Sequence, residues 1–130
     1  MKALFRILPL FSAILFFSCT KEDVSPSTPG AASSVQVEYR VSATSGNVTI
    51  YQMVPQPGSN ALAEEKVEVN RMTYSTTFTV YSGTEVSVRA TNINPGAEEV
   101  IAEIYVNGHL LASGSANAPA QYATATGTAR

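Results

Sequence analysis

Disulfide bonding within the chain is excluded from the start, because the 130 residues contain a single cysteine, Cys19, and a lone thiol has no partner. Histidine is equally scarce, with His109 alone, and Asp23 is the one aspartate. A Ser-His-Asp or Cys-His arrangement therefore lacks the buried acid that orients its base. Tryptophan is absent, and of the 5 phenylalanines only Phe78 lies beyond the first stretch, which holds Phe5, Phe11, Phe16 and Phe17. Charged residues are few, at 14%. Without Lys2 and Arg6 the 8 basic residues fall to six against 10 acidic ones, a balance of minus four. Such a surface offers no clustered lysine and arginine to a phosphate backbone, so nucleic acid is not an expected partner.

What the chain has, it distributes unevenly. Residues 1–18 place Lys2 and Arg6 ahead of an apolar run from Ile7 to Phe17, broken only by Pro9 and Ser12, with no acid. That is the layout of a secretory signal. The run is too short for a stable span, which needs roughly 20 apolar residues. An ordinary signal cleavage before Cys19 would put bulky Phe16 where a small residue is wanted. Leu15-Phe16-Phe17-Ser18-Cys19 instead resembles a bacterial lipobox. That resemblance implies that the Cys19 thiol takes a diacylglycerol, that the signal is cut before it, and that the new amine is acylated. The alternative is a free thiol just past a signal peptide. A lipidated Cys19 accounts for the odd cysteine in an oxidising compartment. Two or three acyl chains then anchor a protein that does not span.

Residues 19–34 continue as "CTKEDVSPSTPGAASS", rich in proline, serine and threonine without apolar periodicity, and are expected to be a flexible tether. Lys21-Glu22-Asp23 resembles the lysine-plus-acid tags that send lipoproteins to the outer face of the outer membrane in one large group of Gram-negative bacteria. The other reading is a solvated tether start. The expected location is the bacterial envelope, with the protein lipid-anchored in the outer membrane and on show at the surface.

From Val35 the period changes to two. "VQVEYRVS" sets Val35, Val37, Tyr39 and Val41 against Gln36, Glu38, Arg40 and Ser42, the alternation of a half-buried strand. Ser45-Gly46-Asn47 turns the chain into "VTIYQMV", which is expected to pair with the first strand. After the loop "PQPGSNALAEE" come "KVEVN", "MTYSTTFTVY" and, past Ser82-Gly83, "TEVSVRAT". Pro95-Gly96 suits a type II turn. In "VIAEIYVNGHLLASG", Asn107-Gly108 is a strong hairpin signal, since both residues tolerate the left-handed region. "QYATATGT" closes the pattern. About seven short antiparallel strands with no helical period predict an all-β fold, a single small sandwich over 35–128, immunoglobulin-like in general architecture. The expected core is Val35, Val37, Val41, Val48, Ile50, Val67, Val69, Phe78, Val80, Val86, Val88, Val100, Ile104, Val106 and Leu110, sufficient without metal or disulfide.

The strings "VEYRVS", "TTFTVYSGTEVSVRATN" and "AEIYVNGHLLASGSA" resemble the soluble domain of the MmpS family, small mycobacterial membrane proteins that assist lipid exporters, and similar domains in bacterial lipoproteins. The resemblance implies a β domain and a role as accessory to an exporter of lipid or other small molecules. Mycobacterial members carry a transmembrane helix where this chain has the lipobox-like string, a cysteine pair that this chain lacks, and a Pro-Trp where this chain has Met72-Thr73.

Candidate sites are correspondingly sparse. Glu64-Glu65 and Glu98-Glu99 are paired carboxylates placed by the pattern in loops, where adjacent side chains diverge into water. Asn92, Asn94, Glu98 and Glu99 around Pro95-Gly96 offer hard oxygens from one loop and form a calcium candidate, without the Asp-rich spacing of a known calcium loop. Tyr51, Tyr81 and Tyr105 fall on the outward phase, an aromatic patch for an envelope protein, glycan or lipid, or else residues that suit the pleat. No catalytic residue and no cofactor is expected. The reading is a non-catalytic envelope lipoprotein whose sandwich binds or scaffolds a partner.

Overall fold

A computed structural model describes residues 33–92, 94 and 99–130. The signal sequence, Cys19, the Lys21-Glu22-Asp23 tag, nearly all of the tether, the Pro95-Gly96 turn and Glu98 lie outside the described residues. Those described contain eight strands and no helix: β1 (Ser34–Ala43), β2 (Val48–Pro55), β3 (Leu62–Val69), β4 (Thr73–Tyr81), β5 (Glu85–Asn92), β6 (Val100–Val106), β7 (His109–Ala116) and β8 (Ala123–Thr128). They form two four-stranded antiparallel sheets, ordered β4-β1-β6-β7 and β3-β2-β5-β8. The sheets face each other as a sandwich, the all-β architecture that the alternation predicts.

The period-two strands bury the residues that their phase selects. Val35, Val37, Tyr39 and Val41 of β1 are buried, and so are Val48 and Ile50 of β2, Val86, Val88 and Ala90 of β5, and Val100, Ala102, Ile104 and Val106 of β6. These four strands occupy the middle of the two sheets, so each is flanked on both sides and covered on its inner face.

Four expectations need correction. The strands number eight. β1 and β2 are not paired neighbours: β1 pairs with β4 and β6, and β2 with β3 and β5. Residues 44–47 form a corner that carries the chain from one sheet to the other. Alternation is satisfied equally by a hairpin and by a corner, so it does not choose between them. Third, Glu64 and Glu65 lie inside β3, opposite Met53 and Gln52, rather than in a loop. They belong to an edge strand, where charge is tolerated and discourages pairing with another chain.

Last, Leu110 is 55% exposed rather than buried. It stands opposite outward-facing Tyr105, and a bulge then skips Leu111 so that Ala112 takes the inward place opposite Ile104. The reason for a small residue there is the closeness of β8. A Cβ built on Gly114 would collide with the backbone of Thr124, and the inward residues around it are Ala112, Ala116, Ala123 and Ala125.

The Asn107-Gly108 hairpin forms as expected, with φ of 49° and 81°. Its Asn107 Oδ1 accepts from the Gln36 N–H at 3.0 Å, and its own N–H donates to the Gln36 carbonyl at 2.9 Å.

The largest fully buried side chain, Tyr39, crosses from β1 to the facing sheet. Its hydroxyl donates to the Met53 carbonyl of β2 at 2.7 Å and accepts the Ser87 N–H of β5 at 3.2 Å. The β2–β5 ladder stops at Gln52 opposite Val88, and continuing that register would pair Met53 with Ser87. The phenol therefore stands as a rung between them. Phe78 packs edge-on against its ring at 5.0 Å. Burial pushes the phenol up to about 12 from its ordinary 10.0, against the lowering influence of the Ser87 N–H.

Two outcomes are expected from this packing. Tyr39→Phe leaves the part-buried Met53 carbonyl and Ser87 N–H without their partner and should cost about 1–3 kcal/mol in urea unfolding. The raised phenol means that its stabilisation is complete below pH 10 and declines as pH rises toward 12, because the unfolded chain loses this proton first. The Phe variant should lack that alkaline component. Gly114→Ala should destabilise by about 1–3 kcal/mol through overpacking against β8, read as a lowered urea midpoint with an unchanged slope.

Candidate functional site

The Asn-rich corner next to β5 is built as a clamp. Asn92 is 1% exposed, and its amide nitrogen donates to the Ser45 carbonyl at 3.0 Å, the Ser45 Oγ at 2.8 Å and the Gly46 carbonyl at 3.3 Å. Its Oδ1 accepts the Asn94 N–H at 3.0 Å, and the Asn94 amide reaches the Gly46 carbonyl at 3.0 Å. Asn92 and Asn94 thus tie the corner between β1 and β2, with their nitrogens rather than their oxygens turned to it. Glu99 is exposed, and its backbone bonds to Thr44. Among the described residues no three of His, Cys, Asp and Glu come together in a cluster suited to a metal ion.

The structure does not bring Tyr51, Tyr81 and Tyr105 together. Tyr105 lies on the outer face of the β4-β1-β6-β7 sheet, where the Arg40 guanidinium sits 4.1 Å from its ring centre. Arg40 Nε donates to Glu38 Oε1 at 2.8 Å and its Nη2 to Oε2 at 2.9 Å, a two-pronged pair to which the Ser75 hydroxyl adds a bond of 2.8 Å. The Arg40 bonds, and then the Ser75 bond, hold the Glu38 carboxyl below its usual range. Tyr81 ends β4, 46% exposed, in a groove of about 330 Å³ with Ser34, Pro55 and Asn60, and Asn60 Nδ2 donates to its hydroxyl at 3.2 Å.

Tyr51 gains two neighbours that the alternation alone did not single out. On the outer face of the β3-β2-β5-β8 sheet, register sets Tyr51 opposite Arg89 of β5 and Lys66 of β3. The Arg89 guanidinium lies 4.6 Å from the Tyr51 ring centre and 5.2 Å from that of Tyr122, just before β8. The two rings are 6.1 Å apart. Arg89 also reaches Glu64 Oε2 at 3.4 Å, and both side chains remain near half exposed. Tyr122 itself is 45% exposed. The result is a shallow platform of two aromatic rings, tilted 57° to each other and bridged by a solvated cation, which offers ring contact and hydrogen bonding to a ligand. Tyr122 falls within the alternation of "QYATATGT", but nothing in that string marks its ring as a neighbour of Tyr51, and Arg89 escapes notice because charge on an outward phase is the ordinary case.

A second recess, of about 440 Å³, opens where β2 leaves β5, lined by Met53, Glu85, Val86, Ser87, Thr126, Gly127 and Thr128. It lies beside the Tyr39 rung. Its lining carries one ionisable group, Glu85. His109 is exposed at the start of β7, on the sheet edge away from β4, whereas Glu64 and Glu65 lie on β3 of the other sheet, at the edge away from β8. The histidine and that carboxylate pair do not converge.

No family model matches the chain, and no curated protein matches it in sequence.

If Asn92 is a clamp, its amide hydrogens are what count. Asn92→Asp turns a carboxylate toward the Ser45 and Gly46 carbonyls and should destabilise by about 2–3 kcal/mol at neutral pH. Protonating that carboxyl restores a donor, so the loss should shrink as the pH falls through its titration, as thermal unfolding at neutral and acid pH will record.

Proposed function

We propose that this chain is a lipid-anchored protein of the bacterial envelope whose β-sandwich is a non-catalytic binding module. The platform of Tyr51, Arg89 and Tyr122 carries the binding half of this reading. Its rings offer apolar surface beside the hydrogen-bond donors of the guanidinium, which suits the C–H faces and hydroxyls of an envelope glycan. Anchoring rests on Cys19 and the lipobox-like string before it, with Lys21, Glu22 and Asp23 as the outward export tag.

A second reading is an accessory to an exporter of lipids or other small molecules, as the MmpS resemblance implies. The three strings that carry it fall on β1, on β4 with β5, and on β6 with β7. Co-purification with an exporter from detergent-solubilised membranes would favour it.

The test has two arms. In cells treated with globomycin the uncut precursor should accumulate, and Cys19→Ala should remain uncut without drug; normal maturation of that variant would sink the anchoring half. Against isolated envelope polysaccharide, the wild-type protein should be retained, and Tyr51→Ala combined with Tyr122→Ala should lose retention at an unchanged unfolding midpoint. Equal retention by the double variant would remove the platform from the reading.

A further inference from the structure

We infer that the end of the sandwich carrying Tyr81, Leu110 and Leu111 rests on the surface of the lipid bilayer. The inference depends on the anchored reading of Cys19 and adds which surface meets the membrane. Ser33, where the described chain begins, is fixed at that end, since its carbonyl accepts the Ser82 N–H at 2.7 Å. Residues 20–33 between it and Cys19 reach at most on the order of 50 Å when fully extended. A lipidated Cys19 therefore attaches the domain to the membrane at this end and holds it within a tether length, which raises the local concentration of any weak contact made there.

The end has the chemistry for such a contact. Leu110 is 55% exposed, Leu111 39% and Tyr81 46%; Tyr81 pairs with Ser34, and the two leucines follow the 107–108 hairpin that bonds to Gln36, with Leu110 on the outer face of the sheet opposite Tyr105 and level with Glu38. Tyrosine favours the boundary between headgroups and water, and leucine the acyl side of it. The connections at this end, 56–61, 82–84 and 107–108, contain no charged residue, and the exposed Glu85 and Arg130 beside 82–84 carry opposite charges. The connections at the far end include Arg71 and Glu99. There Met72 is 60% exposed, a strand's length farther from the tether's attachment at Ser33. Resting on this end stands the strands upright, with the Tyr51–Arg89–Tyr122 platform on the flank of the domain rather than beneath it.

The absence of tryptophan makes a direct test possible, because any introduced indole is the sole reporter. Lipidated full-length Leu110→Trp, Tyr81→Trp and Met72→Trp proteins are reconstituted into phosphatidylethanolamine–phosphatidylglycerol vesicles containing brominated phosphatidylcholine, and the vesicles are floated. Expected is loss of most emission for Leu110→Trp and Tyr81→Trp, with that of Met72→Trp retained. Proteins that float but lose no emission at positions 110 and 81 would overturn the inference while leaving the anchor intact. So would equal quenching at 110 and 72, which means no fixed orientation, or a blue shift at 110 without quenching, which means a protein contact. Failure to float defeats the anchored reading itself, and the inference with it.

Discussion

One phenolic hydroxyl holds the two sheets in register. Tyr39 belongs to β1, yet its oxygen takes the place of a backbone rung between β2 and β5 of the opposite sheet. This side chain does what pairing within either sheet cannot: it links the sheets by hydrogen bonds through the middle of the core. Its burial is affordable only because both bonding capacities of the hydroxyl are met. The same burial raises its pKa to about 12. Where the rung is inserted, β2 departs from β5, and the next position along β2 that would face β5 is Pro55, which has no N–H to give. The recess lined by Met53, Val86 and Gly127 follows from that departure.

The sandwich is closed differently at its two sides. Beside β4, buried Gln52 of β2 donates to the Tyr74 hydroxyl at 3.0 Å and to Glu65 at 2.9 Å, so polar side chains bridge the sheets there. Beside β7 and β8 there is no room for such chains. Gly114 lies against the Thr124 backbone, and the inward positions are alanines. The core is thick around Tyr39 and Phe78 and thin around Ala123 and Ala125. That taper explains why Leu110 and Leu111, two large apolar residues in β7, stay at the surface.

The surface divides the polar residues between structure and recognition. Asn92 and Asn94 are consumed by the β1–β2 corner, where amide hydrogens satisfy carbonyls that a chain crossing between sheets leaves without partners. Glu38, Arg40 and Ser75 bond to one another on one outer face. On the other outer face, Arg89 meets one carboxylate at 3.4 Å and lies over two rings, Tyr51 and Tyr122, and that second ring makes this the face on which binding is proposed.

Strand phase was legible in the sequence. Because side chains alternate strictly along a strand, Val35, Val37, Val41, Val48, Ile50, Val86 and Val88 declare their inner faces without reference to any neighbour, and Asn107-Gly108 declares its turn through backbone conformation alone. Pairing partners were not legible. The corner at Ser45-Gly46-Asn47 and a hairpin read alike locally, and only contacts distant in sequence, Asn92 to Ser45 or β1 to β4 and β6, decide between them. The same holds for the platform: Tyr51 announces an outward ring, but the meeting of Tyr51, Arg89 and Tyr122 depends on three strands aligning. Cys19 is the reverse case, a residue whose reading comes from its immediate neighbours in the chain. Local sequence therefore determined the elements and their faces, because those depend on covalent neighbours. Tertiary structure decided the sheet order, the Tyr39 rung and the platform, because those depend on which distant surfaces fit.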